Sequence, residues 1–180
     1  MPHPAGTIFV LRTRDLVGVL IRWVTRSRVN HAGVCLGGGG TVEAKMRGAT
    51  SRQEHPGAVY GTELLAEIER QRPGAGADIA AAATQLLGTP YGFVDIAALG
   101  LADLGMRQKW LERIVDNQHA LICSQLVDQA CLNVGVHLFN DGRMPGRVDP
   151  GDLEQLIATG WRDVRVEPVH QPPPGAPSRT

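Results

Sequence analysis

Cys123 heads the run Leu121-Ile122-Cys123-Ser124-Gln125-Leu126-Val127-Asp128-Gln129-Ala130. Ile122, Leu126 and Ala130 recur at four-residue spacing, so the run reads as an amphipathic helix. A thiol in the first turn of a helix meets unpaired backbone N–H groups and the positive end of the dipole. Both favour the thiolate, the form in which cysteine acts as a nucleophile. A cysteine taken alone is far more often a small buried apolar residue. Nucleophilic chemistry therefore needs two further groups, a base and something to orient it.

His31 and Glu43 are the candidates for those roles. They stand twelve residues apart, on either side of Gly37-Gly38-Gly39-Gly40. Val29 to Leu36 and Thr41 to Met46 read as two strands joined by that turn. A hairpin closed midway brings His31 and Glu43 within touching distance across the ladder. A carboxylate on the far imidazole nitrogen fixes the tautomer and stabilises the imidazolium. With Cys123 on the near nitrogen, the set is a Cys-His-Glu triad, in the chain order His, Glu, Cys. Each polar residue taken singly is more often a core or edge residue. Their spacing around the turn is what favours chemistry.

The remaining elements must hold these three in place. Gly6 to Leu11 reads as a strand, and Asp15 caps a helix to about Ser27. Arg47 to Gly57 reads as a polar loop. Val59 to Arg72 fits either a helix face or an edge strand, and is taken as a strand. Asp78 opens an Ala-rich helix closed by Gly88. Tyr91 to Gly105 and the stretch around Trp110 read as helical. The Cys123 helix ends near Gly135. Asn140 to Val148 is loop, Pro150 and Asp152 start a helix that stops at Gly160, and Trp161 to Val166 is a last strand. Residues 168–180, with Pro172-Pro173-Pro174, read as a disordered tail. This places one α+β domain over residues 1–167.

The quoted segments resemble a known family. His31-Ala32-Gly33-Val34-Cys35-Leu36-Gly37 followed by Val42-Glu43-Ala44 is similar to the histidine hairpin of the circularly permuted NlpC-type cysteine peptidases and amidases, within the papain-like superfamily. Gly88-Thr89-Pro90-Tyr91-Gly92 with Asp95, Cys123-Ser124-Gln125-Leu126-Val127, and Val148-Asp149-Pro150-Gly151-Asp152-Leu153 resemble further segments of that group. The resemblance runs from about Gly6 to Val166. It implies a permuted NlpC fold: a small antiparallel, barrel-like sheet with helices packed on it and the nucleophile at a helix N-terminus. It also implies Cys123 as nucleophile, His31 as base and Glu43 as the third polar residue. Histidine ahead of cysteine is similar to the permuted branch, which includes lecithin:retinol acyltransferase-like enzymes. The favoured substrate is a peptide amide, of the peptidoglycan-stem kind. Two other readings stay open: an acyltransferase or lipid hydrolase, with Ile96 to Met106 as an acyl channel, and a non-catalytic binding module.

Weaker site candidates are Gln118, His119, Tyr91 and Ser124. Gln118 or Asn117 would donate to an oxyanion, with the Cys123 backbone N–H as the safer donor. His3, His55, His137 and His170 stand in no partner pattern. Cys131, two helical turns past Cys123, reads as core. A metal site on His31, Cys35 and Cys123 lacks any Cys-x-x-Cys pair, so no cofactor is expected.

Composition bounds the alternatives. Lys+Arg and Asp+Glu are both 18, for a net charge of zero, which argues against nucleic-acid or anionic-membrane partners. Three cysteines imply no disulfide framework. Met1-Pro2-His3-Pro4-Ala5-Gly6 does not read as a signal peptide. A cytoplasmic location is the expectation, with a phage particle or another export route as alternatives. Ile96 to Met106 is too short to span a bilayer.

Overall fold

The computed structural model describes residues 1–13, 27–45, 48–88, 123–143 and 148–168. The expected hairpin lies at the heart of a sheet. Strand β2 (His31–Gly37) turns into β3 (Gly40–Lys45). Gly37, Gly38 and Gly39 all have positive φ, at 79°, 61° and 88°, a region closed to most side chains. These three glycines thus make a turn that most other residues would strain. On the far side of β2 lies β1 (Ile8–Leu11), and on the far side of β3 lies β4 (Gly48–Gln53). A short β5 (Val59–Tyr60) pairs with β1. The order is β4-β3-β2-β1-β5, every pairing antiparallel. The described sheet is open, with β4 and β5 at its edges. The fold is α+β.

Side chains alternate across a strand, and the two faces of this sheet carry different residues. Ile8, Val10, Ala32, Val34, Val42 and Ala44 share one face and one apolar cluster with the helices. Those helices are α1 (Thr62–Gln71), α2 (Ala75–Gln85), α3 (Cys123–Leu132) and α4 (Pro150–Gln155). Phe9, Leu11 and Cys35 form a smaller cluster with Ala58 and Tyr60. The ladder places them on the opposite face, together with His31, Thr41 and Glu43.

Several sequence expectations change. Arg47 to Gly57 is not a polar loop throughout, because Gly48–Gln53 pairs along the whole of β3, from Gly40↔Gln53 to Lys45↔Gly48. Its polar residues suit an edge strand. Val59 to Arg72 is strand only at Val59–Tyr60 and then becomes α1. Leu64, Leu65 and Ile68 form the buried stripe of a helix, and Glu67 bonds Arg70 and Gln71 one turn on. Those pairs arise only at helical spacing. The next helix begins at Ala75 rather than Asp78. Trp161 to Val166 is strand only at β7 (Arg165–Val166), which pairs with β6 (Val136–His137). Helix α4 runs on through a π turn at Leu156–Gly160, which buries Leu156 and Ile157, so the chain is still helical at Trp161–Asp163.

Asp149 caps α4. Its carboxylate accepts from the N–H groups of Gly151 and Asp152, while Asp152 accepts from the Asp149 N–H. Pro150 follows in the first turn, where its missing N–H costs nothing. The expected helix at Asp15, the helices from Tyr91 to Val115 and the Pro-rich tail lie outside the described residues.

Candidate active site

Glu43 sits opposite Gly33, not opposite His31. The ladder shifts by one between Cys35 and Gly37, so the turn is not symmetric about the four glycines. His31 and Glu43 are therefore diagonal neighbours on one face. The reach is still short: His31 Nε2–H donates to Glu43 Oε2 at 2.8 Å. Glu43 is fully buried and His31 nearly so, at 0% and 9% exposure.

Gly33 leaves room for a neighbouring ring. A Cβ there would lie 2.6 Å from Phe9 Cζ and 2.7 Å from the Val42 carbonyl oxygen. The Phe9 ring occupies the space that any larger residue at position 33 would need. His31 and Glu43 flank this glycine along the ladder.

The Glu43 carboxylate has more partners than the sequence suggested. Thr41 Oγ1 donates to Oε1 at 2.8 Å, and His55 Nε2–H donates to the same oxygen at 2.8 Å. Burial alone would raise the Glu43 pKa, but the bonds from His31, Thr41 and His55 overcome it and hold it down at about 2. Glu43 is thus a carboxylate across the neutral range.

Cys123, at the head of α3, lies close enough to the His31 ring to act on its charge. Nε2 is engaged by Glu43, so Nδ1 is the nitrogen left for the sulfur. Burial would lower the His31 pKa, yet the neighbouring Cys123 and Glu43 outweigh it and push it up to about 9. The Cys123 sulfur also stands 3.9 Å from the Asn30 carbonyl oxygen. Cys123 keeps 6% of its surface exposed.

Asn30 drew no attention in the sequence, yet it braces the end of the strand pair. Its side chain accepts from the Thr13 N–H at 2.7 Å and donates to Thr13 Oγ1 at 2.8 Å. Its backbone N–H bonds the Leu11 carbonyl. These bonds hold the backbone just before His31, where the sulfur arrives.

Of the weaker candidates, Ser124 is fully buried and donates to the Val148 carbonyl at 2.6 Å. That bond ties α3 to the segment that enters α4. Tyr91, Gln118 and His119 lie outside the described residues. Gln125 is buried, and its Nε2 has no hydrogen-bond partner among the described residues.

The other two cysteines are poor nucleophiles. Burial, with the charges of Glu54 and Glu43, pushes Cys35 up to about 12. Cys131 is fully buried and raised well above the free-thiol range by desolvation. All three cysteines are free thiols. Among the described residues, no group of three or more His, Cys, Asp or Glu is arranged to hold a metal. No helix there is long and apolar enough to cross a membrane.

His55 is the functional candidate that sequence reasoning missed. After Glu54 the chain turns back across the sheet, and only that turn brings His55 to Glu43. No periodicity signals it. His3 and His137 also find acidic partners, Glu54 and Glu167, each at 2.9 Å.

A cavity of about 490 Å³ lies to one side, lined by Ser27, Arg28, Asp149 and Gln155 among others, and neither Cys123 nor His31 lines it. Comparison with protein-family models, curated proteins and solved structures returns no match.

Proposed function

We propose that this protein is a cysteine hydrolase that cleaves an amide bond through a thioester, on a scaffold of the permuted NlpC type. The observation that carries the reading is one constellation: a buried carboxylate 2.8 Å from an imidazole whose other nitrogen is left for a cysteine at a helix head. The five-stranded antiparallel sheet with α3 packed on it suits that scaffold.

His31 Nδ1 takes the Cys123 proton, and the sulfur attacks the carbonyl carbon. The carbonyl oxygen gains the negative charge, which the Cys123 backbone N–H stabilises. Collapse of that intermediate breaks the C–N bond. His31 returns the proton to the departing amine, leaving a thioester on Cys123. Water then attacks the thioester carbon as His31 takes its proton. The carbon–sulfur bond breaks, the acid leaves and the thiol is restored. Glu43 keeps Nε2–H engaged throughout, so the ring presents Nδ1 and its positive charge is balanced.

Iodoacetamide labelling of Cys123 against pH tests the nucleophile. The wild-type protein labels down to about pH 6, and His31→Ala labels only as the pH nears the ordinary thiol value of about 8.5. Identical profiles would defeat the proposal. A γ-D-glutamyl-peptide assay beside a phospholipid or acyl-ester assay then sorts the substrate. Peptide turnover supports an amidase, and acyl-ester turnover alone moves the assignment to the acyltransferase branch.

A further inference from the structure

We infer that His55 is a positioning residue for the His31–Cys123 pair and acts through Glu43; the inference rests on the function proposed above. The Glu43 carboxylate can rotate about its terminal bond unless both oxygens are held. His55 Nε2 and Thr41 Oγ1 both donate to Oε1, each at 2.8 Å. Oε2 is then the oxygen that faces His31. Removing the His55 donor takes one of these two bonds from a fully buried carboxylate. The hold on the carboxylate weakens, and with it the angle at which Oε2 meets the His31 ring.

The surroundings of His55 fix it for this task. The Tyr60 hydroxyl accepts from the His55 N–H at 3.1 Å and donates to the His55 carbonyl at 2.9 Å. Tyr60 is in turn stacked by the His3 ring, with centroids 3.6 Å apart and planes 9° from parallel. Glu54 holds His3 by its backbone N–H and by Nδ1. Phe9, which covers Gly33, sits against both the His55 and Tyr60 rings. A residue serving only to close a surface loop would have no need to aim its ring at a buried carboxylate. The His55 side chain is 31% exposed while its partner Glu43 is wholly buried, so the bond runs inward from the surface.

The test compares His55→Phe, His55→Gln and His31→Ala with wild type. Three readouts are taken: Cys123 alkylation rate by iodoacetamide at about pH 6, the melting temperature, and the His31 Nε2–H proton resonance. A folded His55→Phe slows alkylation roughly tenfold, the scale of one lost hydrogen bond to a charged group, and its His31 resonance moves. His55→Gln, which keeps an N–H donor, stays within about threefold of wild type. Wild-type rate and an unmoved resonance in folded His55→Phe overturn the inference, as does a Gln variant no better than the Phe variant. If His55→Phe does not fold, Tyr60→Phe takes its place, because it frees the His55 backbone but leaves the ring. A slower rate with a shifted resonance then supports the inference, and no change in either overturns it. If wild type and His31→Ala label alike, the hydrolase proposal has failed. The His31 resonance in His55→Phe then decides the coupling separately: moved supports it, unmoved ends it.

Discussion

The two faces of the sheet are built on opposite principles. The helix-covered face is mostly Ile, Val, Leu and Ala, from Ile8 and Val34 to Ile79 and Leu126, with Cys123 and Cys131 among them. Its residues act by area removed from water, and one aliphatic side chain of suitable size can replace another. The other face buries Thr41, Glu43 and His31 beside Phe9 and Leu11. A buried ion pair adds little net stability compared with apolar residues of the same volume. Burying a carboxylate under three hydrogen bonds is therefore a poor way to hold a sheet together, and a good way to hold an imidazole at one angle. The comparison teaches that one side of the sheet is built for stability and the other to hold polar groups at set angles, with Cys123 joining them at the head of a helix from the apolar side.

The sharpest way to break that division is to separate activity from folding. Under the proposed hydrolase function, Cys123→Ala and His31→Ala each lower amide turnover by on the order of 10⁴-fold or more, with the urea midpoint of Cys123→Ala close to wild type. A large loss of stability in Cys123→Ala would mean that the thiol serves packing. The converse change is Leu126→Ala, in the fully buried stripe of the same helix. It should cost about 2–5 kcal/mol in denaturant unfolding, while the molecules that remain folded label at Cys123 at the wild-type rate.

Gly33→Ala probes where the faces meet. The added methyl runs into Phe9 and the Val42 carbonyl, so a loss of about 1–3 kcal/mol is expected. Pairing it with Phe9→Leu should recover part of the loss in a double-mutant cycle. If Gly33→Ala is silent, the ring does not press on that position.

The pH dependence of stability tests the ion pair directly. Glu43 has a folded pKa of about 2, below its unfolded value, so its contribution is present above about pH 4.3 and lost as the pH falls through about 2. His31 has a folded pKa of about 9, above its unfolded value, so its contribution is whole below about pH 6.5 and lost as the pH rises through about 9. Together they predict a plateau between about pH 4.3 and 6.5, with the alkaline arm worth about 3 kcal/mol. The alkaline arm should vanish in His31→Gln. An unchanged alkaline slope would show that the pair is not charged.

The smallest effect concerns a buried acid on the apolar side. Asp128 of α3 is almost fully buried, and desolvation pushes it up to about 6 despite Arg143 and His137 nearby. Its folded pKa is raised, so stability is lost as the pH rises through about 6. Asp128→Asn should therefore gain ~1 kcal/mol at neutral pH and little at about pH 4. Equal effects at both pH values would indicate that the carboxylate is not the cause.

Much of the fold could be read in the chain, for reasons that differ from element to element. The β1 and β2 strands showed in their β-branched residues, and the four glycines marked a turn because three of them take positive φ, where most side chains are strained. Pro150 and Asp152 marked a helix start because caps obey local chemistry. β4 was hidden, since an edge strand has one solvated side and needs no apolar alternation. α1 was ambiguous because Leu64, Leu65 and Ile68 suit two periods over so short a run. Within the site, His31 and Glu43 were legible through the turn between them. His55, Asn30 and Thr41 were not, because their roles depend on where the chain returns after Glu54 and where Thr13 meets the end of β2.

By itself the sequence determined what short-range physics controls: a tight glycine turn, the strands it joins, the helical period after Cys123, and an imidazole and a carboxylate brought onto one face. Tertiary structure alone decided the diagonal register of that pair, the second histidine on the same carboxylate, and the arrival of the sulfur beside the ring. The sulfur reaches the start of β2 across 93 residues of chain, a separation that only the packing of the whole molecule closes.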